Sequence, residues 1–291
     1  FPVTIGMAIA MGKAGGAGIL HRFADLDTQD KWIYECHKQD VPVIISIGVN
    51  GGHEGFLRDS NVDAICVDVA HGDHIQVLNL LKDLRAKYPE QNIIAGNVAT
   101  GSAAQSLAYA GANIIKVGVG PGSVCSTRVV SGHGYPQLSA IINVVNALSE
   151  INGDFSVIAD GGIRYPGDIV KALAAGADAV MLGSLLAGTD EAAGERIVEN
   201  GVAYKTYRGM ASRAVQQEKR AGQKPRVEGV SAKVPYRGPV ADTLDNLEAG
   251  IRSGLSYSGA NNLSELHYNA EFVVVTGNTL KENHPHHPYR L

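Results

Sequence analysis

The sequence predicts an α/β fold, a (β/α)8 barrel of parallel strands each followed by a helix, and three observations carry that reading. Short β-branched runs bounded by Gly, Asp or Asn recur along the chain, mostly about 20 to 30 residues apart. The stretches between them repeat their apolar residues with helical periodicity. The runs themselves are almost continuously apolar, as a parallel sheet covered by helices on its outer face requires, because neither face meets water.

In chain order the strand candidates are Ala17-Gly18-Ile19-Leu20, Val43-Ile44-Ile45-Ser46, Ala64-Ile65-Cys66-Val67, Asn92-Ile93-Ile94-Ala95, Asn113-Ile114-Ile115-Lys116, Val157-Ile158-Ala159-Asp160 and Ala179-Val180-Met181-Leu182. Helical patterns fill Ile75 to Lys87, Ser102 to Ala110 and Gly167 to Ala175. The chain opens at Phe1 in mid-pattern, so one strand expected before Phe1 completes eight. An open doubly wound sheet uses the same units, but its glycine fingerprint belongs at the first βα turn, and the glycine-rich turns here follow late strands. With 291 residues and 45% hydrophobic side chains, residues 1–291 are expected to form one catalytic domain. Two stretches depart from the repeat: 118–137, and 191–239, which is polar, has few apolar anchors and is expected to carry a flap at about 211–233.

Composition narrows the partners. A formal net charge of -4 gives no footprint for nucleic acid, and no apolar run approaches the roughly 18 residues of a membrane span. A cytoplasmic protein acting on a small molecule is the expectation. The cysteines Cys36, Cys66 and Cys125 fit neither a zinc ribbon nor a disulfide framework and are expected to be free thiols.

In barrels of this kind the loops after the strands build the active site. The loop Gly118-Val119-Gly120-Pro121-Gly122-Ser123-Val124-Cys125-Ser126-Thr127-Arg128 sets a thiol among glycines that let the backbone approach a ligand. Cys125 is therefore the candidate nucleophile. Cys36, in a helix, and Cys66, in a strand, read as passively buried. Asp160-Gly161-Gly162 and Gly183-Ser184 end successive strands with glycines that either present exposed amides to a phosphate or only make tight turns, while Asp160 is better placed for sugar hydroxyls. Asp68 either bonds a sugar or amide or caps the helix from Ile75. His71 and His74 lack a third ligand at metal spacing, and His284, His286 and His287 read as a solvated terminus.

At the Cys125 loop the sequence resembles the IMP dehydrogenase and GMP reductase family, and the likeness runs from Met7 to the Glu282-Asn283-His284-Pro285-His286 tail. Its most specific pieces are Gly120 to Arg128, Ala159-Asp160-Gly161-Gly162-Ile163-Arg164, Tyr207-Arg208-Gly209-Met210 and Val234-Pro235-Tyr236-Arg237-Gly238. The resemblance implies a homotetramer of (β/α)8 barrels. It implies nucleotide phosphate on Ser123, Gly162, Gly183, Ser184 and Tyr207, ribose on Asp160, and the purine against Gly209 and Met210. It further implies a nicotinamide cofactor near Asp68, Gly118 and Gly120, and potassium on the carbonyls of Gly120, Gly122 and Cys125. A relay of Thr127 and Glu228 would protonate departing ammonia.

The family's two reactions pass through the same covalent bond from the cysteine to purine C2. Its dehydrogenases usually insert a regulatory domain pair after the second strand, whereas here His21 leads through one helix to Val41. They also carry an Arg-Tyr pair in the flap, and none occurs between Met210 and Glu228. The short flap and His21-Arg22-Phe23 look like the reductases, and the tail from Lys281 looks like the dehydrogenases. The expectation is thus reductive deamination of GMP to IMP by NADPH, the alternative being oxidation of IMP to XMP by NAD. A third possibility is a nucleotide sensor on a retained barrel, in which Cys125 would be dispensable.

Overall fold

The computed structural model describes residues 3–50, 61–209 and 229–283. Its wall is one parallel sheet: β1 (Ile19–Leu20), β2 (Ile44–Ile47), β3 (Ala64–Asp68), β4 (Asn92–Val98), β5 (Ile114–Val117), β6 (Ser156–Asp160) and β7 (Ala179–Met181). Among the described residues these are seven of the eight expected strands, each paired with its neighbour in sequence from β1 to β7. A doubly wound sheet reverses direction at a switch point, and sequential order without reversal is the layout of a barrel.

Helices return the chain between strands: α1 (Ile5–Lys13), α2 (Leu26–Lys38), α3 (Ile75–Lys87), α4 (Gly101–Ala110), the one-turn α5 (Thr127–Val130), α6 (Gln137–Ser149) and α7 (Pro166–Ala174). Their starts follow local chemistry. Thr4, Asp25 and Thr100 each accept a backbone N–H at the first turn. His74 does the same for α3, accepting from the Gln76 amide at 3.3 Å, so the cap considered for Asp68 is supplied elsewhere.

Strand alternation sorts side chains into two sets. Ile65, Val67, Ile93, Ala95, Ile115, Val117, Val157 and Ala159 join the main core with the helices. Ala64, Cys66 and Ile94 form a second cluster with Ile19, Ile44, Ile114 and Ile158 on the opposite face. That inner face also carries, by the same alternation, Asp68, Lys116 and Asp160 toward the C-terminal ends of β3, β5 and β6.

Helix α1 packs on β1 and α2 and reaches the segment that follows β7. Met7 packs with Leu186, Ala192 and Val240, and the Thr4 hydroxyl donates to the Glu191 carbonyl at 2.7 Å. Beyond β7 an antiparallel sheet is inserted: β8 (Arg196–Glu199), β9 (Val202–Arg208) and β10 (Ser231–Pro235). The turn from β8 to β9 is Asn200-Gly201, with φ of 51° and 78°, the backbone of a tight hairpin. Helices α8 (Val240–Tyr257) and α9 (Leu263–Asn269) then pack on α7.

Candidate active site

The inner face of the wall ends in a cluster of charge. Lys116, its side chain 4% exposed, places Nζ 3.1 Å from Asp68 Oδ1 and 2.9 Å from Asp160 Oδ2. It also donates to the Asn97 amide oxygen, and the Asn97 NH2 donates to Asp160 Oδ2 at 2.9 Å and to the Gly118 carbonyl at 2.8 Å. Asp68 and Lys116 both pair in register with Gly96, so a residue without a side chain separates them and the lysine reaches across. Burial pulls the Lys116 pKa down, but Asp160 and then Asp68 more than reverse this, and the ammonium is held well above the ordinary lysine value. The lysine is thus a fixed positive charge.

Above this floor lies the loop from β5 to α6. Cys125 is exposed, its amide donates to the Gly122 carbonyl at 3.1 Å, and its thiol donates to Thr127 Oγ1 at 3.2 Å. Gly120, at φ +86°, sits where a Cβ would come within 2.8 Å of the Arg128 stem. The Arg128 guanidinium donates to the Tyr135 carbonyl at 2.7 Å and holds the two ends of the loop together. Cys36 and Cys66 are buried. Burial raises the Cys36 thiol, and it pushes Cys66 up to about 12 against the partial pull of Lys116. Both stay protonated at neutral pH, and a thiol is a poor nucleophile. The access a nucleophile needs therefore belongs to Cys125.

The expected phosphate residues come together from three parts of the chain. Tyr207, on β9, is hydrogen-bonded to Ser123 on the cysteine loop, and its hydroxyl lies 3.2 Å from where a Gly183 Cβ would be. Burial, with a smaller contribution from the Asp160 charge, raises the Tyr207 pKa, so its hydroxyl remains a donor. Gly162 follows β6 with φ +84°, and Ser184 follows Gly183 beyond β7. The inserted sheet also grips the nucleophile loop directly. Cys125 forms an antiparallel bridge with Gly229, the Val230 amide donates to the Val124 carbonyl at 3.0 Å, and Gly209 donates to Val230 at 3.2 Å.

Met210 and Glu228, expected at the purine and in the proton relay, lie outside the described residues, as does most of the expected flap at 211–233. Within 191–239 the described ends are not the open loop expected: residues 196–199, 202–208 and 231–235 are strands. For potassium, the Gly122 carbonyl already accepts the Cys125 amide. A carbonyl has a second lone pair, so Gly120, Gly122 and Cys125 fit an ion only as part of a ring that other oxygens complete. Among the described residues no group of three or more His, Cys, Asp and Glu stands where it could hold a metal. No described helix is long and apolar enough to cross a membrane.

Lys116 and Asn97 escaped the sequence reading. Their signals were present: a lysine closing the apolar run Asn113 to Lys116, and an asparagine just beyond Asn92 to Ala95. Asn200-Gly201 between two β-branched runs, the strongest short hairpin signal, marked the inserted sheet.

Comparison with known proteins gives the arrangement a family. The model of the IMP dehydrogenase / GMP reductase domain matches residues 3–286. Inosine-5'-monophosphate dehydrogenase of Aquifex aeolicus is 46% identical over 287 residues, covering 94% of this chain and 58% of that protein. The enzyme of the same name from Halalkalibacterium halodurans is 47% identical over 237 residues, covering 79% of this chain and 48% of its own length. That from Borreliella burgdorferi is 36% identical over 349 residues, covering 98% and 86%. The chain thus spans about half the length of the first two relatives. With this match running through strands, cysteine loop and inserted sheet alike, the chain belongs to the IMP dehydrogenase / GMP reductase family.

Proposed function

We propose that the chain oxidises IMP to XMP with NAD, through a covalent bond between Cys125 and C2 of the purine. The observation that carries the chemistry is the exposed Cys125 thiol at the mouth of the sheet, 3.2 Å from the Thr127 hydroxyl, while Cys36 and Cys66 are buried. The choice of IMP follows the names of the relatives at 46% and 47% identity.

In this reading Ser123, Gly162, Gly183, Ser184 and Tyr207 hold the phosphate, Asp160 the ribose, and Gly209 and Met210 the base. Fixing the nucleotide at both ends sets C2 against the sulfur, which is where a barrel contributes most to rate. Cys125 loses its proton and adds as thiolate to C2. Bound NAD, on the Asp68, Gly118 and Gly120 side, supplies the oxidant that takes a hydride from C2. Water then adds to C2, the thiolate leaves and XMP is formed. Thr127, within reach of the sulfur, orients that water and exchanges its proton. Potassium on the Gly120, Gly122 and Cys125 carbonyls would keep the loop in its bonding shape, and a homotetramer would complete the ion's ring.

Two features favour the reverse-direction chemistry as a second reading, reductive deamination of GMP by NADPH with Thr127 and Glu228 as the proton relay. Residues 211–233 have no Arg-Tyr pair, and α2 runs directly between β1 and β2 with no inserted domain. The deciding experiment follows reduced-nicotinamide absorbance with IMP plus NAD and, separately, GMP plus NADPH. A rise with IMP that yields XMP supports the oxidation. A fall with GMP and one ammonia per turnover transfers the assignment to the reductase. Inertness in both overturns the two readings and leaves the nucleotide sensor.

A further inference from the structure

We propose that Lys116 is a positioning residue that joins the ribose-side carboxylate Asp160 to the cofactor-side carboxylate Asp68, so that the two ligand pockets share one counter-charge. The proposal rests on the reading that Asp160 faces the nucleotide ribose and Asp68 the dinucleotide.

An ammonium group has three donors. In Lys116 all three are spent inside the protein, on Asp68 Oδ1, Asp160 Oδ2 and the Asn97 amide oxygen. With its side chain 4% exposed, it has neither a donor nor an open path for a ligand, so any effect on ligands passes through its partners. Those partners are half-open: the side chains of Asp68 and Asp160 are 40% and 25% exposed. Each gives one oxygen to the lysine, and Asp160 Oδ1 and Asp68 Oδ2 have no partner among the described residues. Each carboxylate is therefore held by one oxygen and offers the other.

The surroundings fix this arrangement. Asn97 is oriented by donating to Asp160 and to the Gly118 carbonyl, which ties the charge cluster to the first residue of the cysteine loop. Gly96 stands in register between Asp68 and Lys116 and keeps the direct path open. The three charges sum to one negative. Without the lysine the carboxylates of β3 and β6 share the inner face with no counter-charge between them, and either one rotates away or one takes up a proton. Both responses spoil the acceptor oxygen offered to a sugar hydroxyl. A lysine that merely fills space would leave no such charge imbalance.

The two roles separate in a charge-restoring cycle on the full chain. Lys116→Met, Asp68→Asn and the double variant are compared with the unaltered chain by calorimetric titration of IMP and of GMP without cofactor. Lys116→Met is expected to weaken nucleotide binding by about tenfold or more, the scale of one decade in Kd per 1.4 kcal/mol. Adding Asp68→Asn returns the cluster to one negative charge and is expected to recover most of that loss, although Asp68 is assigned to the other ligand. Turnover gives the companion signature: Lys116→Met raises KM for nucleotide and dinucleotide together, more than it lowers kcat, and Lys116→Arg restores part of both.

Unchanged nucleotide binding in Lys116→Met overturns the proposal. So does a double variant that binds no better than Lys116→Met, because the lysine then acts through volume alone. If Lys116→Met does not fold and the double variant does, the charge account stands. If neither folds, it fails, since restoring the charge did not restore the site. Binding is measured with both nucleotides and without turnover, so an error in the direction of the reaction leaves the result intact. An unaltered chain that binds neither nucleotide instead overturns the functional reading, and the proposal with it.

Discussion

The parallel wall and the inserted antiparallel sheet are built from opposite materials. In β3 the first four residues, Ala64 to Val67, are buried, and in β5 the buried Ile115 and Val117 flank a buried lysine. In β10 four of five residues are exposed, and β8 leaves three of four exposed. A parallel sheet needs cover on both faces, whereas an antiparallel ribbon can stand with one face in water. The wall therefore supplies rigidity and the insert supplies contact. Tyr207 reaches Ser123, and Val230 holds Val124 beside Cys125. Regions with few buried apolar groups open at low free energy, so the insert is expected to open more readily than the wall.

The sharpest way to break this division is to remove chemistry without touching the frame. Cys125→Ala is expected to lower turnover by about 10³-fold or more, the range seen when a nucleophile is deleted. Because the thiol is exposed, the melting midpoint should hold to within the roughly 0.5 kcal/mol typical of surface changes. Activity and calorimetric melting of the same preparation check this, and near-normal turnover would remove the covalent scheme.

Next in size is a paired truncation. Ile115→Ala, at a side chain with 0% exposure, should cost about 2 to 5 kcal/mol of stability. Val198→Ala in β8, 66% exposed, should cost less than about 0.5 kcal/mol. Denaturant unfolding of both variants tests whether the wall alone carries the stability. Equal losses would mean that the insert is part of the same cooperative unit.

The smallest effect is expected in alkali. Lys116, Cys66 and Tyr207 all have pKa values raised by folding, so each binds its proton more tightly in the native state. Their contribution is complete below the unfolded values, about 8.5 for a thiol and about 10 for tyrosine and lysine, and fades as pH rises through the folded ones. For Cys66 that window closes at about 12. Stability should thus decline from about pH 8.5 upward, and Cys66→Ala should flatten the first part of the decline in a pH series of melts. An unchanged slope in that variant would show that Cys66 titrates in the native state as it does in the unfolded chain.

The same division explains what could be read in advance. Each of the seven strand candidates overlaps an observed strand, and the Ile75 to Lys87 helix matches its observed limits, because wall elements announce themselves through dense apolar runs and helical periods. The insert was read as a polar stretch carrying a flap because its strands carry Arg196, Lys205, Arg208 and Lys233, and only the Asn200-Gly201 pair betrayed the hairpin. Among site residues, Tyr207 bonds Ser123 and lies beside Gly183, while Asp160 joins Asn97 and Lys116. Lys116 was overlooked because a single residue in an apolar run has no motif. Its partners lie 44 residues along the chain at Asp160 and 48 residues back at Asp68, and only the register of the sheet brings them together.

The contact between α1 and the segment after β7 has a consequence for how the chain folds. Neighbouring strands pair across short separations, as Ile19 does with Ile44, 25 residues on. Thr4 and Glu191 meet across 187. By the logarithmic cost of closing a flexible loop, that single step is about 2 kcal/mol dearer than pairing adjacent strands from an unfolded chain. Strand pairing can advance along the sheet as it is synthesised, while α1 must wait for its distant partners. Until Val240 has left the ribosome, Met7 lacks part of its cover, and that apolar side chain stays partly open while the intervening residues are made.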